Sequence, residues 1–67
     1  MKLDAQKLLI EMANACMTIT ELAEKSSVSR PALTKITTGK GNPKPATIGK
    51  LAKALGVKVE DLIERGE

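Results

Sequence analysis

Two helix-start signals that lie close together, at Thr18 and Ser29, constrain the fold of this chain more than any other feature. Thr18 is followed three residues later by Glu21, which is the spacing of a capping box. Ser29 is a favourable N-cap, and it places Pro31 in the first helical turn, where a missing N–H costs no hydrogen bond. Pro31 is therefore predicted to begin a helix. Because only "KSSVS" separates the two helices, they are expected to cross sharply.

Apolar residues at helical spacing predict an all-α fold, and no strand pattern appears. The chain is expected to form a single domain over residues 1–67, a compact bundle of about five short helices. The predicted helices are about 4–15, 18–26, 29–38, 45–55 and 59–65. Asp4 is the expected N-cap of the first helix, and Gly39 and Gly56 are the expected ends of the third and fourth. The predicted apolar stripe of the first helix is Ala5, Leu8, Leu9, Met12 and Cys16.

The residue types that are missing exclude several functions. The chain has no His and one cysteine, which nearly excludes an ordinary zinc site and excludes Ser-His or Cys-His nucleophilic catalysis. An enzyme is not expected, nor is any cofactor. Without Phe, Trp or Tyr there is no platform on which single-stranded nucleic acid stacks, so a nucleic-acid partner would be a duplex.

The same composition bears on location. A lone cysteine favours a reducing compartment. No apolar run approaches the roughly 20 residues that span a bilayer, and the N-terminus lacks a signal-peptide core. The expected location is the cytoplasm, with no membrane partner.

Charge is segregated along the chain. Between Lys25 and Val59 there is no Asp or Glu, and that stretch carries eight of the eleven basic residues. Such a basic segment is typical of proteins that bind polyanions, although lysines that only solvate helix faces are the alternative.

The stretch "MTITELAEKSSVSRPALTKITTGK" resembles the helix-turn-helix of the Cro/XRE family, which has a lambda repressor-like DNA-binding domain. The following "TIGKLAKALGV" is similar to the fourth helix of that family, so that the likeness covers roughly residues 8 to 63. It implies a small bacterial or phage-like transcriptional regulator, repressor-like, that is nucleoid-associated when bound. Its partner would be a double-stranded DNA operator, bound as a homodimer, and no small-molecule substrate is evident.

The resemblance also implies which residues contact DNA. The third helix would enter the major groove, and the expected base contacts are Ser29, Arg30, Pro31, Thr34, Lys35 and Thr38. The expected phosphate contacts are Thr18, Ile19, Lys40, Asn42 and Lys44. Arg30 suits guanine and Pro31 suits a thymine methyl, whereas Thr34 could use either its hydroxyl or its methyl. For each residue the alternative is a solvated side chain on an exposed face.

The sequence departs from the family pattern in three respects. Ser27 stands where the turn usually has Gly, so a left-handed residue there would be strained. Ile19 stands where several relatives place Gln. Ala13 and Thr37 stand where the family often has an Arg–Glu ion pair, and losing both partners costs far less than losing one.

Three questions stay open at this stage. A protein-interaction module, such as an antitoxin or an adaptor, would keep the same fold and expose an apolar patch, for which Ile10 and the segment Met1 to Leu3 are candidates. Leu62 and Ile63 suit either a dimer surface or the core. Gly49 either permits close helix approach or is a tolerated surface glycine.

Overall fold

The computed structural model of the protein describes residues 2–64. Within that range the α-helices are α1 (Ala5–Asn14), α2 (Ile19–Ser26), α3 (Arg30–Thr37) and α4 (Pro45–Leu55), and a 3-10 turn follows at Val59–Asp61. The prediction of an all-α fold is confirmed. The prediction of about five helices is wrong, because the last element is one short turn and the described chain forms four α-helices.

The chain leaves helical geometry after the 3-10 turn because it pairs with the N-terminus. Leu62 is fully buried, and its carbonyl accepts a hydrogen bond from the Asp4 N–H at 2.8 Å. Ile63 forms an antiparallel β-bridge with Leu3, and the Glu64 N–H donates to the Lys2 carbonyl at 2.8 Å. In a helix over 59–65 the Glu64 N–H would bond the carbonyl four residues earlier, so it could not donate to Lys2. Residue 65 of that predicted helix lies outside the described range.

The starts of α1, α2 and α3 are held by the side chains that the sequence predicts. One carboxylate oxygen of Asp4 accepts from the N–H groups of Gln6 and Lys7 at 3.0 and 3.2 Å. Thr18 and Glu21 form a complete capping box, with both backbone-to-side-chain bonds at 3.2 Å. At the start of α3, the Ser29 hydroxyl accepts from the third residue of that turn, and Pro31 lies inside the turn without breaking the helix.

The core is aliphatic throughout, because the chain has no aromatic residue. One buried cluster draws side chains from all four helices and from both ends of the described chain. Its six fully buried members are Leu8, Leu22, Leu33, Ile48, Leu51 and Leu62. Leu62 therefore belongs to the core. Of the two residues suggested for a dimer surface, only the half-buried Ile63 still has accessible surface for one.

The predicted apolar stripe of α1 is wrong for two of its residues, Leu9 and Cys16. Leu9 is 46% exposed, and Cys16 is exposed outside the helix. Helix α1 ends at Asn14, and Cys16 adopts a left-handed backbone conformation with φ 55°. The N–H of Cys16 bonds the Ala13 carbonyl at 3.1 Å and the next N–H bonds the Met12 carbonyl at 3.0 Å, which is a Schellman end with cysteine in the place usually held by glycine.

Candidate nucleic-acid interface

Helix α3 has one buried and one exposed face. Leu33 and Ile36 fix it on the core, with 0% and 5% of their surfaces exposed. The six residues predicted to contact bases are all exposed: Ser29, Arg30, Pro31, Thr34, Lys35 and Thr38. Because i, i+3 and i+4 positions of a helix share a face, the structure brings these side chains together on the outer surface of α3.

The hydroxyl groups on this surface are engaged with the backbone. Thr34 donates its hydroxyl hydrogen to the Arg30 carbonyl at 3.0 Å. Thr38 donates to the carbonyls of Thr34 and Lys35, both at 3.0 Å. The Ser29 oxygen accepts from the Ala32 N–H at 3.3 Å. The sequence alone does not indicate these bonds, since a helical Thr has two rotamers available and either one satisfies the local backbone.

At the start of α2, the groups predicted to meet phosphate are already partnered. The Thr18 hydroxyl and N–H both lie within hydrogen-bond distance of the same Glu21 carboxylate oxygen, at 3.3 and 3.2 Å. Ile19 is half-buried against the core, so only its backbone N–H suits an anion. Phosphate contact at Thr18 and Ile19 stays a prediction. A phosphate bound there would lie beside the negative charge of the Glu21 carboxylate, which would repel it.

The loop after α3 is anchored to that helix by backbone bonds. Gly39 is left-handed with φ 79°, and the N–H groups of Lys40 and Gly41 both donate to the Lys35 carbonyl at 3.0 and 3.2 Å. A Cβ at Gly41 would lie 3.2 Å from the Ile36 side chain and 3.3 Å from its backbone nitrogen. This close approach holds the exposed Lys40 beside the C-terminal end of α3.

Helix α4 begins next to the same loop, at an end suited to anions. Lys44 occupies the N-cap position, and within the described chain no side chain caps this helix and no acidic residue lies in its first turn. The first N–H groups of α4 and the Lys44 ammonium therefore both favour negative charge. The sequence already signals this site, since Lys44-Pro45 lacks the usual N-cap residue and the next acid is Glu60. Asn42 is exposed in the same loop.

Within residues 2–64, the basic residues between Lys25 and Val59 form no ion pair. Between residues 2 and 64, the single ion pair within 4.0 Å joins Lys2 and Glu64 at 3.8 Å, at the joined chain ends. Ala13 and Thr37 make no such pair, and the Thr37 hydroxyl donates to the Thr34 carbonyl at 3.1 Å instead. The cations near α3 are therefore available to an external anion.

The apolar surface expected for a protein-interaction module is smaller than predicted. Leu3 is only 8% exposed, since it pairs with the C-terminal segment, and Met1 lies outside the described residues. Ile10, 55% exposed, and its neighbour Leu9 are the large apolar side chains that the described structure leaves exposed. Both lie on α1, and neither belongs to the α3 surface.

A four-helix domain in which a sharp turn joins two short helices, the second exposed and flanked by unpaired lysines, is a helix-turn-helix domain. A family model described as "Helix-turn-helix" matches residues 17–62, which is more than half of the chain. The protein belongs to this helix-turn-helix family, of the Cro/XRE type, and the resemblance drawn from the sequence is confirmed.

Two relatives from Bacillus subtilis (strain 168) carry the likeness in sequence. The uncharacterized HTH-type transcriptional regulator RghRB is 48% identical over 48 residues, covering 70% of this chain and 34% of the relative. The HTH-type transcriptional repressor RghR is also 48% identical over 48 residues, covering 70% and 36%. The chain thus spans about a third of the length of the curated relatives it matches.

A crystal structure carries the likeness in fold. The restriction-modification controller protein C.AhdI from Aeromonas hydrophila superposes with a TM-score of 0.84 at 25% sequence identity. The match covers 88% of this chain and 89% of that chain.

Among the described residues, no helix combines the length and the apolar character needed to cross a membrane.

Proposed function

We propose that this protein is a sequence-specific duplex DNA-binding regulator of transcription, repressor-like in action, that recognises the major groove with α3. The observation that carries the proposal is the exposed face of α3, bordered by a loop and a helix start that both favour anions. The two Bacillus subtilis relatives, named as a transcriptional regulator and a transcriptional repressor, support the same function.

On this proposal the two kinds of contact have separate roles. Arg30, exposed at the start of α3, bonds the O6 and N7 atoms of a guanine with its planar guanidinium. Lys35 lies one turn further along and reaches a base or a phosphate. Lys40, Asn42 and Lys44 bind phosphates on one side, and the backbone at Thr18 and Ile19 binds a phosphate on the other. These contacts fix the register in which α3 meets the bases.

The protein would act by occupying an operator, and it would bind paired half-sites as a homodimer. It would be associated with the nucleoid while bound. The proposal assigns it no catalytic step and no cofactor. A protein-interaction module is not favoured, because its candidate surface is reduced to Leu9 and Ile10 on α1, away from the charged face.

Selection of bound fragments from a random duplex library tests this function directly. The expected result is enrichment of one short motif, repeated as an inverted pair, whose spacing reports the dimer geometry. Affinity for the enriched duplex is expected to fall steeply between 50 and 200 mM salt, roughly a hundredfold or more if several phosphates are contacted. If the selection enriches no motif, or if the affinity for duplex DNA does not change with salt, the proposal is contradicted.

A further inference from the structure

On the side of α3 that carries Thr34, the threonine hydroxyl groups donate their hydrogens to backbone carbonyls. Because the Thr34 hydroxyl hydrogen is donated to the Arg30 carbonyl at 3.0 Å, the oxygen retains only acceptor capacity towards a ligand. Thr38 is in the same state, since its hydroxyl lies 3.0 Å from two backbone carbonyls. Neither threonine has a hydroxyl hydrogen left for a base acceptor while these bonds are kept.

An apolar neighbour lies beside Thr34. Arg30, Pro31 and Thr34 together line one open concavity of about 380 Å³ on the exposed surface. Pro31 contributes a ring without an N–H donor, and its position in the first turn fixes that ring relative to the helix. The concavity therefore combines one charged residue, Arg30, with a proline and with a threonine whose hydroxyl hydrogen is donated to the backbone.

We propose that this concavity recognises the 5-methyl group of a pyrimidine that adjoins the guanine bound by Arg30. The inference rests on the proposed function and specifies part of its target. In the major groove a thymine carries its methyl at C5, and cytosine carries one only when it is methylated. A rigid ring and a methyl with no free hydroxyl hydrogen suit that group, and they offer no donor to the N7, O6 or O4 acceptors that a polar residue would select.

The position of the three residues explains why the two bases adjoin. Arg30 and Thr34 are one helical turn apart, which places them about 6 Å from each other along the axis. Base pairs are stacked about 3.4 Å apart, so a helix lying in the groove spans one or two steps over that distance. Pro31 and Thr34 lie about 1.5 and 6 Å beyond Arg30 along the axis, so the apolar pair is centred about one step from the guanidinium and meets the neighbouring base.

The test uses the duplex enriched by the library selection and measures affinity by fluorescence anisotropy. Each thymine is replaced singly by uracil, which removes only the 5-methyl group. Burial of one methyl predicts that one thymine per half-site, adjoining a guanine, weakens binding about fourfold when replaced. At that position a C·G pair is also tested with and without 5-methylation, and methylation is expected to strengthen binding by a similar factor. Replacing the adjoining guanine by 7-deazaguanine removes the N7 acceptor and is expected to weaken wild-type binding.

Two variants of Thr34 separate the methyl from the hydroxyl. Thr34→Val keeps the methyl group and removes the hydroxyl, so the ratio of thymine to uracil affinity is expected to persist whatever the absolute affinity. Thr34→Ser keeps the hydroxyl and its bond to the Arg30 carbonyl and removes the methyl, so the ratio is expected to fall towards one. Circular dichroism of each variant checks that the helices are intact.

The possible failures are distinguishable. If no duplex is enriched, the proposed function and this inference both fail. If a motif is enriched and bound but every thymine tolerates uracil, the function stands and the inference is overturned. It is equally overturned if Thr34→Ser keeps the full thymine preference or if Thr34→Val loses it.

Discussion

The hydroxyl oxygen of Ser26 accepts a hydrogen bond from the Val28 N–H, 3.3 Å away, across the left-handed residue at the centre of the turn. The same hydroxyl donates to the Leu22 carbonyl at 2.6 Å, so one buried side chain ties the end of α2 to the start of the turn. Ser26 is 4% exposed and is the buried polar residue of the described core. It holds the angle at which α3 leaves α2.

Ser26→Ala is expected to destabilise the domain by about 1–2 kcal/mol, because it leaves the buried Val28 N–H without its acceptor. For a domain of this size that corresponds to a fall in the melting temperature of roughly 4–16 °C. Thermal unfolding followed by circular dichroism measures it. Thr20→Ala, at an exposed position of the same helix, is the control and is expected to change stability by less than about 0.5 kcal/mol. Equal effects of the two substitutions would contradict a structural role for Ser26.

Ser27 has φ 61° and ψ 26°, and Cys16 has φ 55°, a conformation in which a Cβ is strained. Ser27→Gly and Cys16→Gly are each expected to raise the free energy of unfolding by about 0.5–1 kcal/mol, the relief of strain less the added chain entropy of glycine. Urea unfolding measures the change. Ser27→Ala keeps a Cβ and is expected to give no gain, so a gain equal to that of glycine would show that the strain argument is wrong.

The sequence predicts the starts of α1, α2 and α3 well because their causes are local, whereas the left-handed turn at Ser27 follows only from the family resemblance. Thr18 with Glu21, and Ser29 with Pro31, specify helix ends through side chains within three residues, and they do so in any tertiary setting. The prediction of a fifth helix is wrong because the cause of the observed structure there is not local. Its last residues are needed by Leu3, which lies sixty residues earlier in the chain, and the pattern of apolar residues cannot show that pairing.

The candidate site is predictable in the same uneven way. The exposure of Arg30 and Thr34 follows from the buried spacing of Leu33 and Ile36, which the sequence shows directly. The direction of the Thr34 hydroxyl does not follow, because it depends on a rotamer. The close approach of Gly41 to Ile36 does not follow either, because it depends on how the loop folds back on the end of α3, and a glycine in a loop signals only that such a contact is permitted.

Gly41 and Gly49 provide a matched pair that tests this contact. A Cβ at Gly41 meets the Ile36 side chain at 3.2 Å and its backbone nitrogen at 3.3 Å, whereas a Cβ at Gly49 would have no neighbour within 4 Å in the described structure outside the adjacent residues and the backbone of its own helix. Gly41→Ala is expected to destabilise the domain by about 1 kcal/mol or more through overpacking. Gly49→Ala, in the interior of α4, is expected to stabilise it by about 0.5–1 kcal/mol. Urea unfolding of both variants measures the two signs, and a Gly41→Ala variant as stable as the wild type would refute the close approach.

Glu21 is expected to weaken DNA binding while it stabilises α2. Its carboxylate holds the Thr18 hydroxyl and N–H, where the site as predicted has a phosphate. Glu21→Gln keeps an acceptor oxygen for the capping box and removes the charge, so affinity for the enriched duplex is expected to rise about three- to tenfold at low salt. Glu60→Gln, exposed in the 3-10 turn, makes the same change in net charge and is the control. Equal gains in the two variants would mean that only net charge matters.

Arg30 and Lys40 are expected to affect DNA binding in different ways. Arg30→Ala removes a bidentate contact to guanine, so it is expected to cost about 1–3 kcal/mol on the enriched duplex and much less on a scrambled one. Lys40→Ala removes a phosphate contact, so it is expected to weaken both duplexes alike and to lower the slope of log affinity against log salt by about one. Arg30→Lys keeps the charge but loses the planar fork, which predicts a loss of specificity with little change in salt dependence. Anisotropy titrations on both duplexes at several salt concentrations measure all three variants. If Arg30→Ala lowers affinity for the scrambled duplex as much as for the enriched one, Arg30 binds phosphate and the base contact must be assigned to another residue of α3.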